Sequence, residues 1–282
     1  VAGAWASLFS RRPDASPYLS PIWMQTWLET YGTALRPELF SASLPGQDLI
    51  GACFLTCLTR RQTILPHVRM HLNCDGEPAG HGVVVQHNSI LASPGREDDV
   101  VHALARHIVS RRVDELAASG FDEKGIHRLI SAFPDWIAEV DWREAHYVDL
   151  EHLRATGADH AGSLSRNTRE QLRRSLKLYR ERGDLHLEAA TTVDQAEAMM
   201  NELLALHETH WQSKGQGGGF ASDWRRKFHK AYIRTALPQG AVQLLRVTAG
   251  AETIGVLYNL VANGKVNFYQ SGLRYDPDGR FK

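Results

Sequence analysis

Apolar positions along this chain follow two periods that alternate in blocks. The segment PIWMQTWLETYG, Pro21 to Gly32, sets Trp23, Trp27, Leu28 and Tyr31 on one helical stripe, with Pro in the first turn and Gly at the end. Runs rich in Val, Leu, Ile, Phe and Tyr predict strands over 39–44, 48–59, 68–73 and 83–92, and a helix over 97–119 buries Val101, Leu104, Ala105 and Ile108. A strand over 126–133, a short helix around Trp136 and a strand over 146–150 complete the first half.

The second half opens with LSRNTREQLRRSLKLYRERG. Helical spacing gives it an apolar face of Leu172, Leu176 and Tyr179, expected to meet the core, and a basic stripe of Arg166, Arg169, Arg173, Lys177 and Arg180. A strand over 185–190 follows, then Thr192-x-x-Gln195 as a capping box for a helix running to Lys214 and stopped by Gly215. Another helix is predicted over 222–237. Ala241 to Arg274 then reads as three consecutive antiparallel strands, with Asn263-Gly264 as the second hairpin turn.

Both halves therefore read as helices and mostly antiparallel strands, an α+β chain with a coarse internal echo. We expect an N-terminal domain over 1–150, a polar linker over 151–162 and a second domain over 163–282, each with its own core. The chain starts at Val1 without Met and stops in the turn cluster YDPDGRFK, so we expect a further C-terminal element in the natural protein.

Thirty-two Lys and Arg against 32 Asp and Glu give zero formal charge, which argues against a nucleic-acid-binding surface. Cys53, Cys57 and Cys74 have no CxxC spacing; they suit free thiols in a cytoplasmic protein, with Cys53 and Cys57 as small core residues. No long apolar run predicts a membrane span. His207 and His210 form an HxxH pair, but without HExxH or a placed cysteine we expect no metal; packing, or the lining of an acceptor pocket, accounts for them better. The run Gly215 to Phe220 follows a helix and lacks GK[ST], so it reads as a mobile loop beside a site rather than a phosphate loop. Asp14, Asp75 and Asp276 suit turns. The basic stripe suits an anionic ligand or a solvated face.

The blocks LSRNTREQLRRSLKLYRERG, LHETHWQSKG followed by GGF, NFYQSGLRYDP, PYLSPIWMQTWLETYG, HLNCDGEP and HNSILASPG resemble acetyltransferase-like proteins of the GNAT superfamily related to a cellulose-biosynthesis accessory protein, and more distantly the FemABX aminoacyltransferases. The resemblance implies tandem GNAT-like domains and transfer of an acyl group from acetyl-CoA or another acyl-CoA to an amine, on a small molecule or glycan precursor. It places the pantetheine arm along Val266 to Gly272, with Gln270, Ser271, Gly272 and Arg274 at the cofactor and Gly272 allowing close approach. From the residues themselves we expect His210 as base and Tyr269 as acid, with Arg166, Arg169, Arg173, Trp211, Lys214 and Phe220 at the acceptor. An aminoacyl-tRNA-dependent transferase and an inert GNAT-like binding module are the alternatives.

Overall fold

The computed structural model describes residues 2–46, 48–61, 66–215 and 218–275. Thus 276–282, with Asp276 and the turn cluster, and 216–217 of the glycine run lie outside the described residues.

The first half contains α1 (Ala2–Ser10), α2 (Pro21–Leu35), β1 (Glu38–Ser43), β2 (Leu49–Arg61), β3 (Pro66–Leu72), β4 (Leu91–Ala92), α3 (Glu97–Val109), β5 (Glu115–Ala117) and α4 (Glu123–Ala132). Its sheet runs β1-β2-β3-β5, antiparallel except for the parallel β3/β5 pair, and β4 adds to β2. The second half contains α7 (Arg166–Arg180), β6 (Leu185–Ala189), α8 (Val193–Ser213), α9 (Asp223–Ala236), β7 (Val242–Ala249), β8 (Glu252–Ala262) and β9 (Lys265–Leu273). Its antiparallel sheet runs β6-β7-β8-β9. Between the halves lie α5 (Leu150–Thr156) and α6 (His160–Ser163). Each half places a helix before an antiparallel meander, α2 before β1-β2-β3 and α9 before β7-β8-β9.

Local sequence explains the best-defined elements. Ser20 caps α2 through Trp23 N, with Pro21 at its first position. Thr192 and Gln195 make both bonds of the capping box on α8. Asn263 and Gly264 turn between β8 and β9 with φ of 51° and 73°, the left-handed pair a two-residue hairpin requires. The Asn263 amide also donates to Ala15 O at 2.8 Å, tying this hairpin tip to the first half.

Several expectations are corrected. Residues 126–133 form the end of α4, because Ile126, Leu129, Ile130 and Phe133 recur at helical spacing behind the Asp122 cap. The predicted helix over 97–119 stops at Val109, and 115–117 joins the sheet as β5. Only Leu91 and Ala92 of 83–92 pair as a strand. Side chains satisfy much of the rest: Asn73 Nδ2 donates to Asn88 Oδ1 (2.8 Å) and Ser89 O (2.7 Å), and Asn88 Nδ2 to Leu72 O (3.1 Å). Residues 146–149 form no strand, and the expected polar linker is largely helical, its two short helices capped by Asp149 and Asp159. Leu172 and Leu176 on α7 are exposed rather than in the core. Cys57 is exposed, since the buried layer on that side of β2 ends at Leu55, whereas Cys53 is fully buried.

The core also departs from one per half. Phe40, Cys53, Leu55, Met70, Leu72, Val100, Leu104, Ile108 and Leu129 form a core private to the first half. A second core is continuous across both: Trp5, Tyr18, Trp23 and Trp27 pack with Met199, Leu203, Phe228, Tyr232, Tyr258 and Tyr269. Trp23 is its hub, edge-on to Tyr18, Phe228 and Tyr232 at ring separations of 5.0, 4.8 and 5.2 Å.

Candidate functional site

The strand β9 is the edge of its sheet, pairing among the described residues with β8 alone. Its register slips once: Tyr258 opposes Gln270 while Asn259 opposes Phe268, leaving Tyr269 as the extra residue of a bulge. A bulge at an edge bends the strand and leaves backbone N–H and C=O groups unpaired. Val266 and Phe268 are exposed near this point.

The end of α8 and the glycine turn lie against Gln270. His207 is buried; its Nε2 lies 3.0 Å from Trp211 Nε1, and its ring is edge-on to Phe220. Burial, followed by neighbouring His210, lowers its pKa. A β-carbon on Gly218 would lie 2.7 Å from His207 Nδ1, and one on Gly219 would lie 3.3 Å from Gln270 Nε2. Glycine at both positions is therefore what lets this turn sit on the His207 ring and the Gln270 amide.

Arg225 fixes the turn from α9, donating to Gly219 O (2.6 Å) and to Gly82 O of the first half. The same first-half segment reaches the site twice more. Val84 N donates to the Tyr269 hydroxyl (3.2 Å), and His81 Nδ1 lies 2.9 Å from Ser222 Oγ. One wall of the site thus comes from 81–84.

Of the residues singled out in the sequence, the structure gathers Trp211, Phe220 and Gln270 around the turn. Phe220 is buried between His207 and His229. Tyr269 is buried in the shared core, its hydroxyl held by Val84 N, and burial raises its pKa so that it keeps its proton. His210 is half-buried and stacks on Tyr275 at 4.0 Å; the Lys214 ammonium lies 5.5 Å from the Trp211 ring centre. Ser271 N donates to Gln270 Oε1 at 3.1 Å.

Gly272 has a different neighbour from the one expected. A β-carbon there would lie 2.5 Å from Leu203 O of α8, so helix packing accounts for this glycine. Arg274 turns to Thr253 O (2.9 Å) and Glu252 (3.2 Å). It borders an open cleft of about 690 Å³ with Arg182, Glu202 and Glu252, apart from the glycine turn. Arg166 pairs with Glu170 at 3.1 Å, and Arg169 donates to Gly162 O and Leu164 O. With Arg173 they lie on α7, which has no buried residue. Among the described residues no cluster could hold a metal ion, and no helix is long and apolar enough to cross a membrane.

Sequence reasoning missed the bulge, Arg225 and the 81–84 wall. The two-residue DG and NG turns announce hairpins, whereas a bulge has no fixed sequence signal; an Arg aimed at carbonyl oxygens looks like any surface Arg in a helix.

His229 supplies a measurable property of this region. It is fully buried, Nδ1 lies 3.1 Å from the Tyr258 hydroxyl, and Nε2 has no partner among the described residues. Burial lowers its pKa from 6.5 to about 3. Between those values the unfolded chain binds a proton that the folded chain refuses, so stability falls as pH drops through this window and is level above it. Urea midpoints at pH 7 and 4.5 test this, with His229→Phe expected to show a smaller drop than the parent. Equal drops in the two would refute it.

Residues 166–281 match the acetyltransferase (GNAT) domain family. The match lies wholly within the second half of the chain and covers less than half of its length. No curated protein matches the chain.

Proposed function

We propose that the protein is an N-acyltransferase that moves an acyl group from acetyl-CoA or another acyl-CoA to an amine. One observation carries this reading: within the domain that matches the acetyltransferase family, β9 presents an open, bulged edge beside a turn of small residues. The unpaired N–H and C=O groups of such an edge suit the amides of a pantetheine arm, which would lie along Val266 to Gly272 as an added strand. The first half, with its own helix and meander, is proposed as a second GNAT-like unit that supplies the 81–84 wall.

The chemistry is direct transfer. The amine lone pair forms the C–N bond, the C–S bond breaks with its electron pair on sulfur, and one amine proton is lost while the thiolate gains one. His210, half-buried and beside Trp211, is the proposed proton acceptor. Tyr269, held in the core, sets the bulge in this reading and does not act as the acid. The acceptor is a small molecule or glycan precursor. A groove lined by Tyr31, Pro78, His81 and Trp224 offers it an apolar wall; Trp224 is 41% exposed and stacks on Tyr31 at 5.5 Å. Arg169, engaged with backbone carbonyls, is not part of this acceptor site.

Thermal-shift titration of the full chain with acetyl-CoA tests the reading, because a ligand bound only by the folded state raises the melting midpoint by mass action. A saturable rise, with amine-dependent release of coenzyme A thiol across a panel of amino sugars and amino acids, is expected. No shift up to millimolar acetyl-CoA would leave a binding module without the donor.

A further inference from the structure

From residue 134 to residue 195 the chain has no buried residue, although it carries many side chains of core type. Residues 137–149 form no regular element and expose Ile137, Val140, Trp142 (54%), Tyr147 (87%) and Val148. Their start is anchored, because Trp136 packs on Phe133 of the first half at 5.0 Å. The helix α7 likewise exposes Leu172 and Leu176. A lone helix of 15 residues is marginal in water and draws most of its stability from packing, so α7 is built to be covered.

Charge identifies what covers it. Of the six cations on α7, only Arg166 makes an ion pair among the described residues, with Glu170 of the same helix. Arg173, Lys177 and Arg180 border the two leucines at helical spacing. Residues 137–149 carry Glu139, Asp141, Glu144 and Asp149 against Arg143 alone, interleaved with Val140, Trp142 and Tyr147. The lengths agree as well: extended chain from Val140 to Val148 spans about 26 Å, and α7 about 22 Å. One chain thus holds an acidic apolar strap and a basic apolar helix face of matching length, both uncovered. They do not meet within that chain. The residues between them are built into α5 and α6, capped by Asp149 on His152 N (2.9 Å) and by Asp159 on Ala161 N (3.1 Å), which act as spacers rather than as a turn that folds the strap back.

We propose that two copies of this chain associate by exchange, the strap 137–149 of each lying across α7 of the other. The arrangement is isologous, since the same strap-on-helix seam forms twice about a two-fold axis. Trp142 and Tyr147 are the apolar anchors on Leu172 and Leu176, and Glu139, Asp141 and Glu144 supply the charges that Arg173, Lys177 and Arg180 lack. This association is independent of acyl transfer.

Sedimentation velocity of the full chain is the test. A dimer is expected that weakens as salt rises, because the seams join exposed charges. Trp142→Ser, and Leu172→Ser combined with Leu176→Ser, are each expected to raise the dissociation constant by about tenfold or more, as each change strikes both seams. These side chains are exposed in the single chain, so melting of the dilute, monomeric protein should match the parent in both variants. Mixing the two variants is then expected to restore dimers: the strap of the second and α7 of the first are both intact, so a heterodimer regains one whole seam. A parent that stays monomeric up to millimolar concentration, or a dimer indifferent to both variants, would overturn the proposal. So would a mixture that stays monomeric, which would mean that each strap closes on its own α7. Binding of a monomeric parent to phosphatidylserine vesicles, lost with Leu172 and Leu176, would overturn it in favour of a lipid surface.

Discussion

Replacing Trp23 with Ala is expected to unfold both halves together, at a cost of about 3–5 kcal/mol. The indole is fully buried where Tyr18 of the first half meets Phe228, Tyr232 and Tyr269 of the second. Its removal opens a cavity that neither sheet can close alone, because the surrounding rings hang on the turn before α2, on α9 and on β9. Urea unfolding followed by hydrogen exchange gives the measurement: β3 and β8 amides are expected to lose protection in one transition, and at lower urea than in the parent. Loss of protection in the first half alone would mean that the shared core does not couple the halves.

Gly272→Val is expected to lower stability before it touches any ligand. The added side chain would drive into the Leu203 carbonyl, a backbone atom of a long helix, and so cannot be relieved by a rotamer change. Overpacking of this kind costs about 1–3 kcal/mol, and backbone contact places this site at the upper end. The melting midpoint should drop in Gly272→Val and less in Gly272→Ala. A full-length Gly272→Val protein with parental melting would contradict the packing account.

The parts of the fold legible in the sequence are those with their own local chemistry. The Thr192/Gln195 box, the Pro21 helix start and the Asn263-Gly264 turn each satisfy or shape backbone by themselves, and each stands as read. The strand expected over 126–133 fails because Ile and Phe favour strands in isolation, while their spacing of three and four fits the face of α4. The segment 83–90 misleads for another reason: its Val-rich run has no neighbouring strand, and Asn73 and Asn88 hold it instead. α7 reads correctly as a helix, yet whether Leu172 and Leu176 meet a partner depends on contacts that amphipathicity does not specify.

The candidate site was legible in outline. The LHETHWQSKG block, Gly218 and Gly219 of the glycine run and the FYQSG strand are neighbours in the structure. Roles within it were not, since they turn on which atom faces which. Tyr269 and Gln270 are adjacent in sequence, yet the bulge sends the first into the core and leaves the second beneath the glycine turn. Likewise, His207 and His210 share a motif, but one turn of helix separates a buried ring bonded to Trp211 from a half-buried one stacked on Tyr275.

Hydrogen exchange of the full chain with and without saturating acetyl-CoA tests the central claim most directly, because it reports where the donor lies without any knowledge of the acceptor. Added protection is expected along β9 from Val266 to Gln270 and in the turn at Gly218 and Gly219, with the interior strand β7 unchanged. Protection confined to the charged cleft of Arg182, Glu252 and Arg274, or none at β9 while acetyl-CoA is bound, would contradict the account.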